Sequence, residues 1–135
     1  MSAEPTFTAA QTFTAAMVQM CSGLLPAQNL EQGTKLIRQA ATEGADYVQT
    51  PEVSNMIQSN RKALFEHLAS EEDDLSLKAY RALAAELKIH LHIGSLALRF
   101  SEREAGLVAQ AYGGTTARLR GADATRAAVA RLLAA

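Results

Sequence analysis

The stretch Asp46-Tyr47-Val48-Gln49-Thr50-Pro51-Glu52 predicts the fold of this chain and contains its first candidate site residue. A short apolar run follows a Gly-Ala turn and ends at a proline, which is typical of a buried strand. Open α/β sheets place their functional sites beyond the carboxyl ends of strands, where Glu52 stands. Taken alone, however, a glutamate in a loop is more often a solvated surface residue than a catalytic one.

The residues before this stretch predict a strand and a helix. Residues 17–21 form a short apolar run that ends at a Ser-Gly pair, as expected for a first strand. Pro26 precedes the predicted helix, and Asn29 and Gln32 have the spacing of a capping box at its start. Gly44 supplies the stop at its end. The order strand, helix, glycine turn, strand predicts a βαβ unit with two parallel strands.

The residues after Glu52 predict two more helices and a third strand. A first helical segment covers residues 61–69, and apolar residues at helical spacing predict a long amphipathic helix over residues 75–88. Residues 89–98 begin with an alternating apolar pattern and predict the third strand. The resulting order βα, β, αα, β favours a layered α/β fold.

The two terminal segments differ from this central region. Residues 1–12 include the first of two Thr-Phe-Thr-Ala-Ala copies, too few for a repeat architecture, and we expect a flexible leader there. Residues 105–135 are rich in alanine and arginine and show no clear strand, and we predict a turn over residues 113–116 and a helix over residues 122–133. We therefore predict one domain over residues 13–104, followed by a divergent, partly helical tail.

The composition excludes several classes of function. The 135 residues have a net charge of −1 and 5% aromatic residues, so we expect neither a basic field nor a stacking platform for nucleic acid. A single cysteine excludes an internal disulfide framework and favours a reducing compartment. No apolar run approaches the roughly 20 residues that span a bilayer. We expect a soluble cytoplasmic protein that binds neither nucleic acid nor membrane.

Cysteine and histidine residues provide further candidates for chemistry. Cys21 is a potential nucleophile, but the sequence holds no histidine near it, and because free cysteines are usually buried a structural role is favoured. His90 and His92 share one face of the third strand at a spacing that allows two metal ligands. A zinc site needs three or four ligands and the sequence indicates no third one, so structural or surface histidines are favoured and no metal site is predicted.

Three other patterns give weaker signals. The acidic run over residues 71–74 directly precedes a predicted helix, where carboxylates stabilise the positive end of the helix dipole, and this role is favoured over metal binding. Gly113 and Gly114 lack the lysine and the spacing of a phosphate-binding loop. Ser95 follows Gly94 without the flanking pattern of a nucleophile elbow.

Five segments in a fixed order carry a resemblance to a known family. They are Ala16-Met17-Val18-Gln19-Met20, the asparagine of Gln28-Asn29-Leu30, Ala40-Ala41 through Gly44-Ala45-Asp46, Thr50-Pro51-Glu52, and Ile93-Gly94-Ser95. In combination they resemble the beginning of a nitrilase-superfamily carbon–nitrogen hydrolase. The resemblance covers about residues 13–100 and is closest to the omega-amidase-like branch.

This resemblance implies an α-β-β-α sandwich, of which the chain holds the N-terminal half, and a Cys-Glu-Lys site. Glu52 matches the glutamate that is the general base in the family. The implied reaction begins when this carboxylate takes a thiol proton and the thiolate attacks an amide or nitrile carbon. A lysine stabilises the tetrahedral species, and water then hydrolyses the thioester. The family implies a small amide substrate, homo-oligomers, and no metal or organic cofactor.

The sequence departs from the family pattern after residue 100. The family's lysine follows the third strand in a Tyr-Asp-Lys stretch and its cysteine comes later, whereas this chain has no lysine after Lys88 and no cysteine after Cys21. We therefore expect an N-terminal portion that is inactive alone, and we hypothesise that residues 105–135 come from a shifted reading frame. The alternative is a non-catalytic remnant or interaction domain that pairs with a full-length relative. For the inactive hydrolase portion and for the interaction domain alike, an exposed sheet predicts self-association.

Overall fold

The computed structural model describes residues 12–100, 105–112 and 118–120. These residues form one five-stranded sheet with three helices packed on it. The elements are β1 (Ala15–Met17), α1 (Pro26–Thr42), β2 (Tyr47–Gln49), α2 (Arg61–His67), α3 (Leu75–Leu87), β3 (His90–Arg99), β4 (Ala105–Tyr112) and β5 (Arg118–Arg120). The predicted order βα, β, αα, β is therefore confirmed.

The sheet combines a parallel part with an antiparallel part. Its strands follow one another in the order β1-β2-β3-β4-β5. The first three strands are parallel, with Ala16 opposite Val48 and Val48 opposite Leu91. This pairing confirms the predicted βαβ unit. The remaining strands are antiparallel to their neighbours, so β3 is the strand at which the sheet changes direction.

Strand β1 lies earlier in the chain than the apolar run over residues 17–21 predicted. It ends at Met17, and only the N–H of Val18 continues the ladder, donating to the carbonyl of Gln49 at 2.9 Å. Its partner β2 is just three residues long. Because Pro51 follows β2 and has no N–H to donate, the ladder stops there, and residues 18–25 form a loop instead of a strand.

Helix α1 begins at Pro26, three residues before the predicted capping residue Asn29. Proline fits the first turn of a helix because the N–H it lacks has no partner within the helix there. Asn29 is buried within the helix, and the Gln32 side chain accepts a hydrogen bond from the N–H of Cys21 at 3.2 Å. The capping-box prediction is therefore wrong. The predicted stop is supported by Gly44, whose φ of 94° suits glycine.

The structure also differs from the predictions for α2 and for the residues after 104. Helix α2 ends two residues before the predicted Ala69, because Leu68 is extended. The sequence showed no clear strand after residue 104, but β4 and β5 lie there and add to the sheet through β3. Strand pairing with an existing edge thus outweighs an alanine-rich composition. Residues 1–11, the predicted turn over residues 113–116 and the predicted helix over residues 122–133 lie outside the described residues.

Apolar side chains cover both faces of β3. On one face α1 and α3 pack on the sheet in a large cluster that includes Ile37, Val48, Tyr80 and Leu91. The second cluster lies on the other face. It contains Met56, Leu68 and Ala97, with Val53, Leu64 and Phe65 packed against it. Val53 and Met56 belong to the segment that follows Glu52, so this second cluster anchors that segment to the sheet.

Candidate active site

Glu52 lies in the segment that leaves the carboxyl end of β2. We call residues 50–58 the Glu52 loop. Its first residue, Thr50, is buried, whereas Glu52 is exposed to solvent two residues later. The sheet thus holds the beginning of the loop and leaves the carboxylate accessible. This placement agrees with the position expected for a site in an open α/β sheet.

The start of the Glu52 loop lies against β3 at Gly94. A Cβ atom added to Gly94 would lie 2.6 Å from the carbonyl carbon and oxygen of Pro51 and from the carbonyl oxygen of Thr50. The N–H of Gly94 donates to Thr50 Oγ1 at 3.3 Å, and the N–H of Thr50 donates to the carbonyl of His92 at 2.9 Å. Only a residue without a side chain allows the two backbones to approach so closely.

The next part of the loop is hydrogen-bonded to Ser95. The N–H of Val53 donates to Ser95 Oγ at 2.8 Å, and the N–H of Ser54 donates to the Ser95 carbonyl at 3.0 Å. Val53 has a φ of 50°, in the left-handed region that β-branched residues rarely adopt. The residue that follows Glu52 is therefore held in an unusual conformation by contacts with β3.

Two buried asparagines hold the rest of the loop. The amide of Asn55 donates to the carbonyl of Ala97 at 2.8 Å and accepts from its N–H at 2.9 Å, which replaces the backbone pairing of a strand. Asn29 of α1 donates to the carbonyl of Asn55 at 2.8 Å. It also exchanges two hydrogen bonds with Gly23, at 2.8 and 2.9 Å. Since a buried amide is stable only when satisfied, these bonds fix the loop to both elements.

These bonds bring the loops after β1 and β2 together. The N–H of Ile57 donates to the carbonyl of Gly23 at 2.9 Å, and Gln58 Nε2 donates to the carbonyl of Leu24 at 3.1 Å. Cys21 belongs to the first of these loops and is exposed. The expectation that this cysteine is buried in a structural role is therefore wrong, because β1 ends before reaching it and leaves it in a surface loop.

His92 has buried side-chain contacts within the sheet, which agrees with the structural role that the sequence favoured. His92 Nδ1 lies 2.7 Å from the hydroxyl oxygen of Tyr47, and that hydroxyl donates to Gln49 Oε1 at 3.2 Å. Burial lowers the pKa of His92 and raises that of Tyr47, because each charged form would lose its hydration. This polar group lies on the strands, next to the start of the Glu52 loop. His90 lies two residues before His92 on β3.

The acidic run precedes α3, where the sequence favoured a helix-dipole role, and within it Asp74 is the residue that caps the helix. Asp74 is buried and its carboxylate accepts the N–H of Leu77 at 2.7 Å, at the start of α3. Burial raises the pKa of this carboxyl group, while the hydrogen bonds from Leu77, Asn55 and Ser76 act in the opposite direction. In the part of the chain that the structure describes, no three His, Cys, Asp or Glu side chains are placed to hold a metal ion. None of its helices is long and apolar enough to cross a membrane.

Sequence reasoning predicted Glu52 as a site residue but missed the residues that hold its loop. Apart from their place in the family resemblance, Ser95 was considered as a nucleophile and Asn29 as a helix cap. Asn55 was given no role. Ser95 follows Gly94, but Asn29 and Asn55 have no glycine or proline beside them, and the role of all three residues becomes clear only when the contacts across the fold are known.

Comparison with known proteins identifies the family. A profile of the family described as carbon-nitrogen hydrolase matches residues 14–116. The chain therefore belongs to the carbon–nitrogen hydrolase family. The match extends beyond the composition change near residue 105, and the predicted division into leader, domain and tail stays a prediction. A comparison with curated protein sequences found no match.

Solved structures show the fold. A variant of the amidase from Nesterenkonia sp. AN1 in complex with butyramide has a TM-score of 0.67 at 20% identity, covering 82% of this chain and 42% of that chain. The Caenorhabditis elegans NitFhit protein has a TM-score of 0.69 at 19% identity, covering 80% and 27%. Nit3 of Saccharomyces cerevisiae, described as a member of branch 10 of the nitrilase superfamily, has a TM-score of 0.64 at 17% identity, covering 78% and 42%.

These neighbours confirm the α/β fold of the nitrilase type. The chain spans between 27 and 42% of the length of these three structures. They do not specify a branch of the superfamily. What the described residues provide is a solvent-accessible carboxylate on a loop that is held by buried hydrogen bonds. Such a group is suited to accept and return a proton.

Proposed function

We propose that this chain is the N-terminal portion of a carbon–nitrogen hydrolase that acts on small amides, with Glu52 as the general base. The observation that carries the proposal is the exposed carboxylate of Glu52, which lies two residues after the buried Thr50 at the carboxyl end of β2. The family match covers this region. The omega-amidase-like branch, a small-amide substrate and a cytoplasmic location belong to the same proposal.

The proposed chemistry uses Glu52 to move a proton. Its carboxylate takes the proton of a cysteine thiol, and the thiolate forms a bond to the amide carbon. Glu52 gives this proton to the amide nitrogen, the carbon–nitrogen bond breaks, ammonia or an amine leaves, and the acyl group stays as a thioester. Water then attacks the thioester carbon and gives a proton to Glu52. The carbon–sulfur bond breaks, the carboxylic acid is released, and Glu52 returns the proton to the cysteine sulfur. A lysine beside the carbonyl oxygen stabilises the negative charge of both tetrahedral species.

We also propose that the 135 residues alone do not turn over amides. The family resemblance puts the lysine and the nucleophilic cysteine after the third strand, and the sequence has neither residue type after Lys88. Cys21 precedes α1 and is not assigned the role of the nucleophile. A shifted reading frame in the coding DNA is the proposed origin of this difference.

The first experiment is to resequence the coding DNA from the codon for Gly94 past the stop and translate all three frames. We expect another frame to encode a Tyr-Asp-Lys stretch and a later cysteine. The restored protein should release ammonia from succinamate, glutaramate or butyramide, and the 135-residue chain should not. Turnover by the 135-residue chain would contradict its proposed inactivity, but the role of Glu52 would still be testable in it.

Glu52→Gln tests the role of the carboxylate in whichever chain is active. A glutamine keeps the size of the side chain and cannot take a proton, so kcat should fall by about 100-fold or more. Glu72→Gln is the matched control, because Glu72 is also an exposed carboxylate but belongs to the acidic run before α3. Ammonia release that is equal in the two variants would refute the proposed role of Glu52.

A second candidate function is an interaction domain that pairs with a full-length relative. It is supported by β1, which lies at the end of the sheet among the described strands and contains Met17, a residue that is 69% exposed. An edge strand with exposed apolar residues is a site at which another chain can pair. Sedimentation velocity should then show self-association that Met17→Lys weakens. A monomer at all concentrations, together with a restored active frame, would reject this candidate.

A further inference from the structure

We propose that Ser95 is a positioning residue that sets the direction of Glu52 by accepting the N–H of Val53. This inference rests on the proposed role of Glu52 as the general base. Glu52 and Val53 share a peptide unit, so a hydrogen bond that fixes the N–H of Val53 also fixes the plane in which the Glu52 carbonyl lies. The Ser95 hydroxyl therefore acts one residue away from the carboxylate, without contacting the substrate.

The backbone of Val53 indicates that this segment is held in place. Val53 is β-branched and has a φ of 50°, a conformation that L-residues with a branched Cβ rarely adopt. Such a conformation costs free energy and persists where surrounding contacts over-determine it, and these positions are frequent at functional sites. Val53 directly follows the only carboxylate of the Glu52 loop.

Three contacts with β3 and its surroundings enforce this conformation. Ser95 Oγ accepts the N–H of Val53 at 2.8 Å, and the Ser95 carbonyl accepts the N–H of Ser54 at 3.0 Å. The Val53 side chain packs against the cluster of Met56, Leu68 and Ala97. The N–H and the side chain of Val53 are thus both engaged, and rotation to an extended conformation would break both contacts.

The position of Ser95 on β3 explains why a side chain, and not only the backbone, holds the loop. The pairing of β3 with β4 shifts register between Ile93 and Leu96, which is the mark of a bulge. A bulge bends a strand and changes the direction of its side chains. Ser95 lies in this irregular segment beside Gly94, where a Cβ atom would lie 2.6 Å from the backbone of the Glu52 loop. A hydroxyl at position 95 is there within reach of the loop backbone.

The burial of Ser95 separates this role from catalysis. Ser95 is 5% exposed and its hydroxyl already accepts a hydrogen bond from the backbone. It is therefore neither accessible to a substrate nor available as a nucleophile. Its neighbour Ser54 supplies a suitable comparison, because Ser54 is also buried. The Ser54 hydroxyl donates to the Ser95 carbonyl at 3.3 Å and makes no hydrogen bond with the N–H of Val53.

The test measures the loop directly, by NMR on the full 135-residue chain. In Ser95→Ala, exchange of the Val53 amide hydrogen should become about tenfold faster, as expected when one hydrogen bond is lost. The backbone order parameter of Glu52 should fall from about 0.85 towards 0.6. Ser95→Thr keeps the hydroxyl and should restore both values. Ser54→Ala, the matched control, should leave the Val53 amide as in the wild type.

Each outcome decides the inference without an activity assay. Unchanged Val53 exchange and Glu52 order in a folded Ser95→Ala would overturn it, and so would equal changes in Ser54→Ala. If Ser95→Ala does not fold, Ser95→Cys replaces the hydroxyl by a weaker acceptor of similar size, and a smaller change in the same direction is expected. Failure of the proposed function would appear elsewhere, as an unchanged kcat in Glu52→Gln.

Discussion

Single residues decide how closely the Glu52 loop approaches the sheet. Gly94 has no side chain, and the backbone of Thr50 and Pro51 occupies the space in which a Cβ would lie. Because the neighbours are backbone atoms, they cannot move away as the end of a flexible side chain would. At the scale of the residue, the geometry of the site therefore depends on the absence of one methyl group.

Gly94→Ala should displace the Glu52 loop and destabilise the fold. An inserted methyl group 2.6 Å from backbone atoms forces the two segments apart, and we expect a loss of about 1–3 kcal/mol in the free energy of unfolding. Urea denaturation measures this value. Gly23→Ala is the control, since its Cβ would have Asn29 Oδ1 at 3.9 Å as its nearest neighbour. Equal stabilities of the two variants would contradict the proposed packing.

At the scale of the element, the residues of the acidic run have different contacts with α3. Asp74 caps α3 and is buried, whereas Asp73 is exposed and its carboxylate lies 3.9 Å from Lys78 Nζ. A cap satisfies N–H groups that the helix itself leaves without partners. The two neighbouring carboxylates therefore have unequal effects on the stability of α3, although the sequence shows four similar acids in a row.

Asp74→Ala should lower the free energy of unfolding by about 1–2 kcal/mol, because the cap of α3 is lost. Asp74→Asn keeps an oxygen that accepts the N–H of Leu77 and should lose less. Asp73→Ala removes only an exposed charge and should change stability little. Thermal and urea unfolding of the three variants provide the comparison. A loss in Asp73→Ala as large as that in Asp74→Ala would exclude the cap as the cause.

At the scale of the whole molecule, a buried histidine couples stability to pH. Burial lowers the pKa of His92 in the folded state below its ordinary value of 6.5. The unfolded state therefore binds a proton at a higher pH than the folded state does. By linkage, the stabilising effect of the buried neutral ring is present above about pH 6.5 and is lost as the pH falls towards the folded pKa.

His92→Gln should reduce this pH dependence. Glutamine stays neutral, so the free energy of unfolding of the variant should change less between about pH 7.5 and 5.5 than that of the wild type. Urea denaturation at a series of pH values measures the difference. Asp74 does not account for a loss of stability with falling pH. Its pKa is raised in the folded state, so the stability that this group contributes is lost with rising pH. A parallel pH profile in the variant would argue against His92 as the coupled group.

Much of the fold was predictable because its signals are local. The helical spacing before Leu87 and the alternating pattern after Ile89 each belong to one element, and both elements formed as predicted. Glu52 was predicted as a candidate because Thr-Pro-Glu ends a predicted strand and matches the motif of the family, and both signals are local. Errors arose where a strand depends on the strand with which it pairs. The length of β1 follows from the three residues of β2, and β4 forms because it pairs with β3.

The amino-acid sequence alone determined the α/β order, the family resemblance and the position of Glu52 at the end of β2. Tertiary structure alone decided what holds that residue: the contact at Gly94, the hydrogen bond from Val53 to Ser95, and the pairing of Asn55 with Ala97. The physical reason is separation along the chain. Periodicity and turn residues act over a few neighbours, whereas these three contacts join residues about forty positions apart that meet only when the sheet has formed.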